Sequence, residues 1–255
     1  MLHHFEEPCI SGSEADKGSG AIFFSGCNLK CVFCQNYVIS HQNKGRNVSV
    51  KYLVKIFKKL EKLGALNINL VTPTHFTSQI LQSLKIYKPK IPVVWNSGGY
   101  ESVETIKELE GFVDIYLVDM KYASNLLAEK YSFAKDYVEN NRKVVGEMVR
   151  QQPNNIFENG IMKKGVIIRH LILPTHTDDS CECLKYIAAS VGKNAIVSLM
   201  SQYEPQYKAK DFAEINRKIT PLEYKRVVNC ALELGMMNCY TQDLTSADSK
   251  YTPKF

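Results

Sequence analysis

The chain has 255 residues, 45% hydrophobic and 23% charged, which excludes global disorder and allows a large buried core. Its formal charge of +6 sits on Lys and Arg interleaved with apolar residues, as in KIFKKLEKLG; solvated helix faces explain that pattern, and no nucleic-acid recognition motif accompanies it. No apolar run approaches the roughly 20 residues of a membrane helix, and MLHHFEEPCISGSEADKG is acidic rather than signal-like, so the expected location is cytoplasmic.

Residues 1–20, rich in Gly, Ser and acidic side chains, are expected to run as an extended lead-in across the core. AIFFS (21–25) predicts the first strand. GCNLKCVFCQN follows at once and holds Cys27, Cys31 and Cys34. A closed zinc site takes four ligands and a disulfide framework an even number, so three thiols in one loop suggest a site with an open coordination position. In a reducing cytosol metal ligation outranks disulfides. Spacings of three and two residues cannot place the thiols on one helix face, but a loop can wrap them around three irons of a [4Fe–4S] cluster. The alternative is a zinc knuckle completed by His41. Cys9, Cys181, Cys183, Cys230 and Cys239 are expected to be small buried hydrophobes. The pair in CEC, 181 and 183, also suggests a second metal site, although nothing nearby completes one.

After Ser49, Leu53, Ile56, Phe57, Leu60 and Leu63 make one helical stripe that stops at Gly64. LNINLV (66–71) predicts a second strand ending in VTPTHF, where His75 is the histidine most readily placed in a cavity. IPVVW (91–95) leads to Asn96, Ser97, Gly98 and Gly99, and VDIYLVD (113–119) to Asp119 and Lys121. Residues 131–165 are expected to hold two helices and a turn. GVIIRHLIL (165–173) carries Arg169 and His170, and AIVSLM (195–200) brings Ser198, Ser201 and Gln202. Between these last two strands, Leu184, Ile187, Ala188 and Val191 line a helix before Gly192. TPLE (220–223) reads as a capping box for a helix running to Gly235.

Each polar candidate has a structural reading beside the functional one. Asp119 and Lys121, two apart on a strand, also suit an ion pair on a barrel floor. The loop at Asn96 equally suits a turn. Arg169 in an apolar strand needs a partner, either a ligand carboxylate or a structural one. His170, on the opposite side, reads as a core histidine.

Strand and helix alternate about six times without a long linker, so the expected class is α/β with a parallel sheet and right-handed crossovers. Six units are too few for a closed eight-stranded barrel; a partial (β/α)6 barrel is expected, with a flat doubly wound sheet as the alternative. A single domain is expected, its core at 21–243 and a C-terminal tail at 244–255. In either arrangement the ligand belongs at the carboxyl ends of the strands, where the cysteine loop lies.

The quoted loop matches the CxxxCxΦC signature of radical S-adenosylmethionine (SAM) enzymes, with Phe33 in the aromatic position. Together with EEPCISG, VTPTHF, VWNSGGY, DIYLVDMKYA, RHLILP and LMSQY, it resembles the branch of homologues of pyruvate formate-lyase activating enzyme, from about residue 5 to 243. The resemblance implies a partial (β/α)6 barrel and an oxygen-sensitive oxidoreductase. It also implies a [4Fe–4S] cluster on Cys27, Cys31 and Cys34, with the open iron chelated by SAM. Phe33, Asn96, Ser97, Asp119, Lys121, Arg169 and Gln202 follow as candidates for the SAM site. PTHF at 73–76 stands where activating enzymes have Gly-Gly-Glu, and Thr74 or backbone carbonyls would substitute there. Without a ferredoxin-like insertion, one cluster is expected.

The implied reaction is reductive cleavage of SAM to a 5′-deoxyadenosyl radical that abstracts a glycine hydrogen from a glycyl-radical enzyme. An acidic flavodoxin or ferredoxin would be the reductant. The alternatives are a radical SAM reaction on a peptide, small molecule or RNA, and a non-catalytic iron–sulfur or zinc scaffold.

Overall fold

The computed structural model describes residues 1–13 and 15–242; the expected tail at 244–255 lies outside the described residues. The chain opens on a two-residue strand, β1 (Leu2–His3), and one helical turn, α1 (Pro8–Ser11). Then come β2 (Ser19–Phe23), α2 (Tyr37–Ser40) and α3 (Val50–Lys62), followed by β3 (Ile68–Val71) and α4 (Thr77–Ile86). The middle holds β4 (Val93–Ser97), α5 (Val103–Glu108), β5 (Ile115–Asp119), α6 (Asn125–Ser132) and α7 (Tyr137–Gln151). A hairpin, β6 (Ile156–Glu158) and β7 (Ile161–Leu171), precedes α8 (Thr177–Ser190), β8 (Ile196–Met200), α9 (Pro221–Glu233) and β9 (Cys239–Thr241).

The strands form one open, largely parallel sheet in the order β1-β2-β3-β4-β5-β7-β8-β9, with β6 against β7 and β1 antiparallel to β2. The six expected strands are all present, and β9 adds a parallel neighbour to β8 that the sequence pattern did not suggest. Three expected strands pair from two residues later than their apolar runs begin, because hydrophobic runs mark burial rather than pairing. Phe24, at the end of AIFFS, instead packs on Phe76, with ring centroids 5.6 Å apart.

Local chemistry sets the helix ends. Ser49 Oγ accepts from the Tyr52 amide, and Gly64 leaves α3 at φ +81°. Thr220 and Glu223 form the expected capping box. Of the two helices and a turn expected over 131–165, only α7 lies there whole; the rest is the β6–β7 hairpin, whose turn residues Asn159 and Gly160 both have positive φ, the backbone a tight hairpin demands.

Side chains alternate across the sheet. One face packs the helices in the main core. On the other, Val94, Ile115, Leu117, Ile167 and Ile196 meet Cys9 and Ile10 of α1, so the lead-in fills the concave side of the sheet. Paired Leu117, Ile167 and Ile196 form an apolar row, and two residues further along the strands Asp119, Arg169, Ser198 and Tyr240 form a polar one. A ligand site therefore has an apolar plug beneath it and a charged floor above. Ile10 is fully buried in that plug. Ile10→Ala should cost about 2–5 kcal/mol, read as a shifted urea midpoint without a changed slope.

Candidate active site

The carboxyl ends of the strands surround a cavity of about 510 Å³. Cys27, Cys31 and Cys34 line it from the loop after β2. Asn96, Ser97, Asp119, Lys121, Arg169 and Gln202 line it from the strand ends, as expected, and Ser198 joins them.

The cysteine loop is fastened on several sides. The Lys30 and Val32 amides donate to the carbonyls of Ser132 (3.1 Å) and Tyr131 (2.8 Å), and the Lys208 amide donates to Val32 (2.8 Å). Gly26 has φ +85°, and a Cβ there would meet His75 Nε2 at 3.0 Å. Ser132 Oγ donates to Cys31 Sγ at 3.0 Å, and Ser40 Oγ lies 3.1 Å from Cys34 Sγ. Burial pushes the Cys27 thiol up to about 12, reinforced by Cys31 and Cys34; those two thiols are also raised, burial again leading. Lys121 opposes the shift at all three.

Such thiols make poor free nucleophiles. They suit a metal centre, which deprotonates the thiols it binds. Among the described residues no three His, Cys, Asp or Glu side chains are gathered as ligands of one ion. An iron–sulfur cluster asks for less crowding, since each thiolate takes its own iron, and the trio fits it. His41 does not line the cavity; its Nδ1 is 2.8 Å from Ser40 Oγ and its ring lies on Tyr207.

The floor is an ion network centred on Arg169. Its Nε donates to Asp119 Oδ1 (2.8 Å), its Nη1 to Glu6 Oε2 (3.1 Å) and its Nη2 to Asn96 Oδ1 (2.7 Å). Glu6 Oε1 accepts from Asn69 and Asn96, both at 3.1 Å, and Lys121 Nζ reaches Asp119 Oδ2 at 2.5 Å. Burial alone would raise the Asp119 carboxyl, but Arg169 and Lys121 outweigh it and hold the group below the usual carboxylate range. Asp119 and Lys121 thus form the expected ion pair and also line the cavity. Glu7, missed by the sequence reading, is buried in the cavity wall, and burial raises its carboxyl.

Three expected site residues stand outside the cavity. Phe33 is in the core, edge-on to Tyr203 at 5.7 Å. Thr74 Oγ1 donates to Glu101 Oε1 at 2.8 Å, turned away by the 3-10 turn Thr74–Phe76. His75 Nε2 bonds the Ser25 carbonyl at 2.5 Å and so braces the cysteine loop from behind. The residue of this segment that does line the cavity is Thr72, in the left-handed region at φ +57°. A β-branched residue there is strained, which points to a backbone fixed by its surroundings. His170 is a core histidine, as expected, with Nδ1 2.7 Å from the Met120 carbonyl. In CEC, Cys183 is buried in the core while Cys181 is half-exposed beside Cys230 of α9, so the pair does not share a site. Cys230 and Cys239 are also only partly buried, against expectation.

The sequence pattern of the Radical SAM superfamily matches residues 21–187, from β2 to α8. The chain belongs to the radical SAM superfamily, whose chemistry is cleavage of SAM with an iron–sulfur cluster. It is 36% identical over 222 residues to an uncharacterised protein of Methanocaldococcus jannaschii, MJ0674, covering 84% of this chain and 62% of that protein. It thus spans less than two thirds of that relative. It is 27% identical over 195 residues to a putative glycyl-radical enzyme activating enzyme of the same organism, MJ1227, covering 74% of this chain and 75% of that protein. Among solved structures, Streptococcus suis SuiB bound to precursor peptide SuiA superposes with a TM-score of 0.59 at 13% identity, covering 88% of this chain and 48% of SuiB; that likeness concerns the fold.

Two outcomes test this geometry without a cofactor. Arg169→Met takes the guanidinium from the Glu6 carboxylate and leaves Asp119 with Lys121 alone, and should lower stability by about 3 kcal/mol, read by denaturant titration at pH 7. His170 is held by burial at about 4 against an ordinary 6.5, so the fold favours its neutral form. Its contribution is complete above about pH 6.5 and is lost as pH falls toward 4, up to about 3 kcal/mol. His170→Asn should flatten the stability profile across that window.

Proposed function

We propose that this chain is a radical SAM enzyme of the activating-enzyme type, holding one [4Fe–4S] cluster on Cys27, Cys31 and Cys34 and abstracting a glycine hydrogen from a partner glycyl-radical enzyme. The observation that carries the reading is that the three thiols share one cavity with the polar strand ends Asn96, Asp119, Arg169 and Gln202. Cys27, Cys31 and Cys34 would hold the cluster, which would supply the one-electron reducing power for cleavage of SAM to a 5′-deoxyadenosyl radical.

The chain's own residues position and exclude. Ser132 and Ser40 set the orientation of Cys31 and Cys34. Lys121 brings positive charge to the three thiolates, offsetting their mutual repulsion. Asp119, tied to Arg169 and Lys121, and Asn96, tied to Arg169 and Glu6, offer fixed polar groups to the amino-acid and ribose portions of SAM. The apolar plug beneath keeps water from the floor. The name of MJ1227 favours a protein substrate, and the open sheet leaves room for a loop of one. Among the described residues β1 and β9 are the ends of the strand order, and such a loop would come in between them.

Reconstitution with iron and sulfide under anaerobic conditions should give a brown protein that forms 5′-deoxyadenosine when reduced with dithionite. Cys31→Ala should lose bound iron and reduce the product to background; unchanged turnover would refute the ligand assignment. With a glycyl-radical enzyme added, electron paramagnetic resonance should show a glycyl radical. Cleavage without that signal would favour another radical SAM substrate.

A further inference from the structure

The segment EEPCISG carries two glutamates, of which, among the described residues, Arg169 bonds only Glu6. The described cavity wall holds three carboxylates, Glu6, Glu7 and Asp119, against two cations, Arg169 and Lys121. Arg169 is taken by Asp119, Glu6 and Asn96, and Lys121 by Asp119. Glu7 is left over. It is 8% exposed, lines the cavity, and its Oε2 has no hydrogen-bond partner among the described residues.

The surroundings of this carboxyl favour its uncharged form. Burial raises it most; Arg169 from β7 opposes the rise, Glu6 adds to it, and the Glu7 amide and the Ser198 hydroxyl from β8 ease it as donors. The other titratable neighbours, Cys9 of α1 and Tyr240 of β9, are themselves kept uncharged chiefly by burial. A carboxyl with no cation of its own keeps its proton, and a buried donor without an acceptor costs about 1–3 kcal/mol. Ser198 is paired with Arg169 on one side and Tyr240 on the other, so Glu7 lies against β7, β8 and β9, whereas the cysteine loop follows β2. Glu7 therefore belongs to a different part of the cavity wall from the three thiols. A cationic ligand group would draw the proton off Glu7; an uncharged carbonyl would accept it as a hydrogen bond, which matches a carboxyl that the fold keeps neutral.

We propose that Glu7 determines substrate recognition: its Oε2 hydroxyl donates a hydrogen bond to a peptide carbonyl beside the target glycine and so fixes that glycine in the cavity. The proposal rests on the reading above of a glycine in a protein as the substrate. Glu7 binds and orients there; no bond to it forms or breaks.

Two variants separate this role from others. Glu7→Gln keeps an uncharged donor of similar shape, and Glu7→Met keeps the shape alone. The probe is N-acetylglycine N-methylamide, a small uncharged unit with a glycine between two carbonyls. In the infrared difference between wild type and Glu7→Gln at pH 7, both reconstituted with iron and sulfide, the carbonyl stretch of an un-ionised carboxyl should appear. SAM alone should leave that band in place, and the probe, added after SAM, should shift it saturably to lower frequency. Affinity for the probe should fall by about tenfold in Glu7→Met and stay within about threefold of wild type in Glu7→Gln. Without the probe, Glu7→Met should raise the urea midpoint, because it removes a buried donor that nothing satisfies. A lowered midpoint, absence of the band, a shift caused by SAM alone, no saturable shift by the probe, or equal loss of affinity in both variants would overturn the assignment. A saturable shift in a wild type that forms no 5′-deoxyadenosine with dithionite would uphold Glu7 and refute the cleavage reading instead.

Discussion

The guanidinium of Arg169 holds the polar floor of this protein together. It is buried in the middle of a sheet, one step above an apolar row, where an unpaired charge would cost several kcal/mol. Its three partners come from three separate parts of the chain: Asp119 ends β5, Asn96 lies in β4 and Glu6 belongs to the lead-in. Satisfying one charge therefore fixes the relative height of neighbouring strands and draws the N-terminal segment into the concave side of the sheet. The same bonds leave polar side chains pointing at the cavity in a single, locked arrangement.

The cysteine loop depends on that arrangement without touching Arg169. Lys121 is bound to Asp119, which is bound to Arg169, and from there Lys121 directs its charge at all three thiols. Burial works the other way and keeps the thiols protonated in the absence of a cation. A site of this kind has little chemistry of its own and gains it on loading with metal. Ser40 and Ser132, in contact with Cys34 and Cys31, would then be the groups that aim those thiolates. Ser40 has two neighbours, Cys34 on the inside and His41 toward solvent.

Much of the site was legible because local patterns report local facts. The spacing of Cys27, Cys31 and Cys34 directly after an apolar run placed them in a loop at a strand's carboxyl end. Asn96, Asp119, Arg169 and Gln202 were found because each interrupts or ends a run of buried residues, which is visible in one dimension. Arg169 even announced that it needed a partner. What it could not announce was which carboxylate, and Glu6 and Glu7 went unassigned because they lie in a segment with no periodicity, 163 residues from Arg169 in the case of Glu6. Thr74 and His75 were misplaced for a related reason: a 3-10 turn rotates them off the strand axis, and no pattern in VTPTHF specifies that rotation.

The sequence by itself determined the class of fold, the succession of six strands along the chain, the helix caps at Ser49 and Thr220, and the three-thiol loop, because each depends on residues near one another along the chain. Tertiary structure alone decided that the lead-in plugs the sheet, that β9 joins it, that Phe33 packs into the core and that His75 braces the loop. These outcomes turn on competition among distant groups for buried space and hydrogen-bond partners, and only the folded chain resolves that competition.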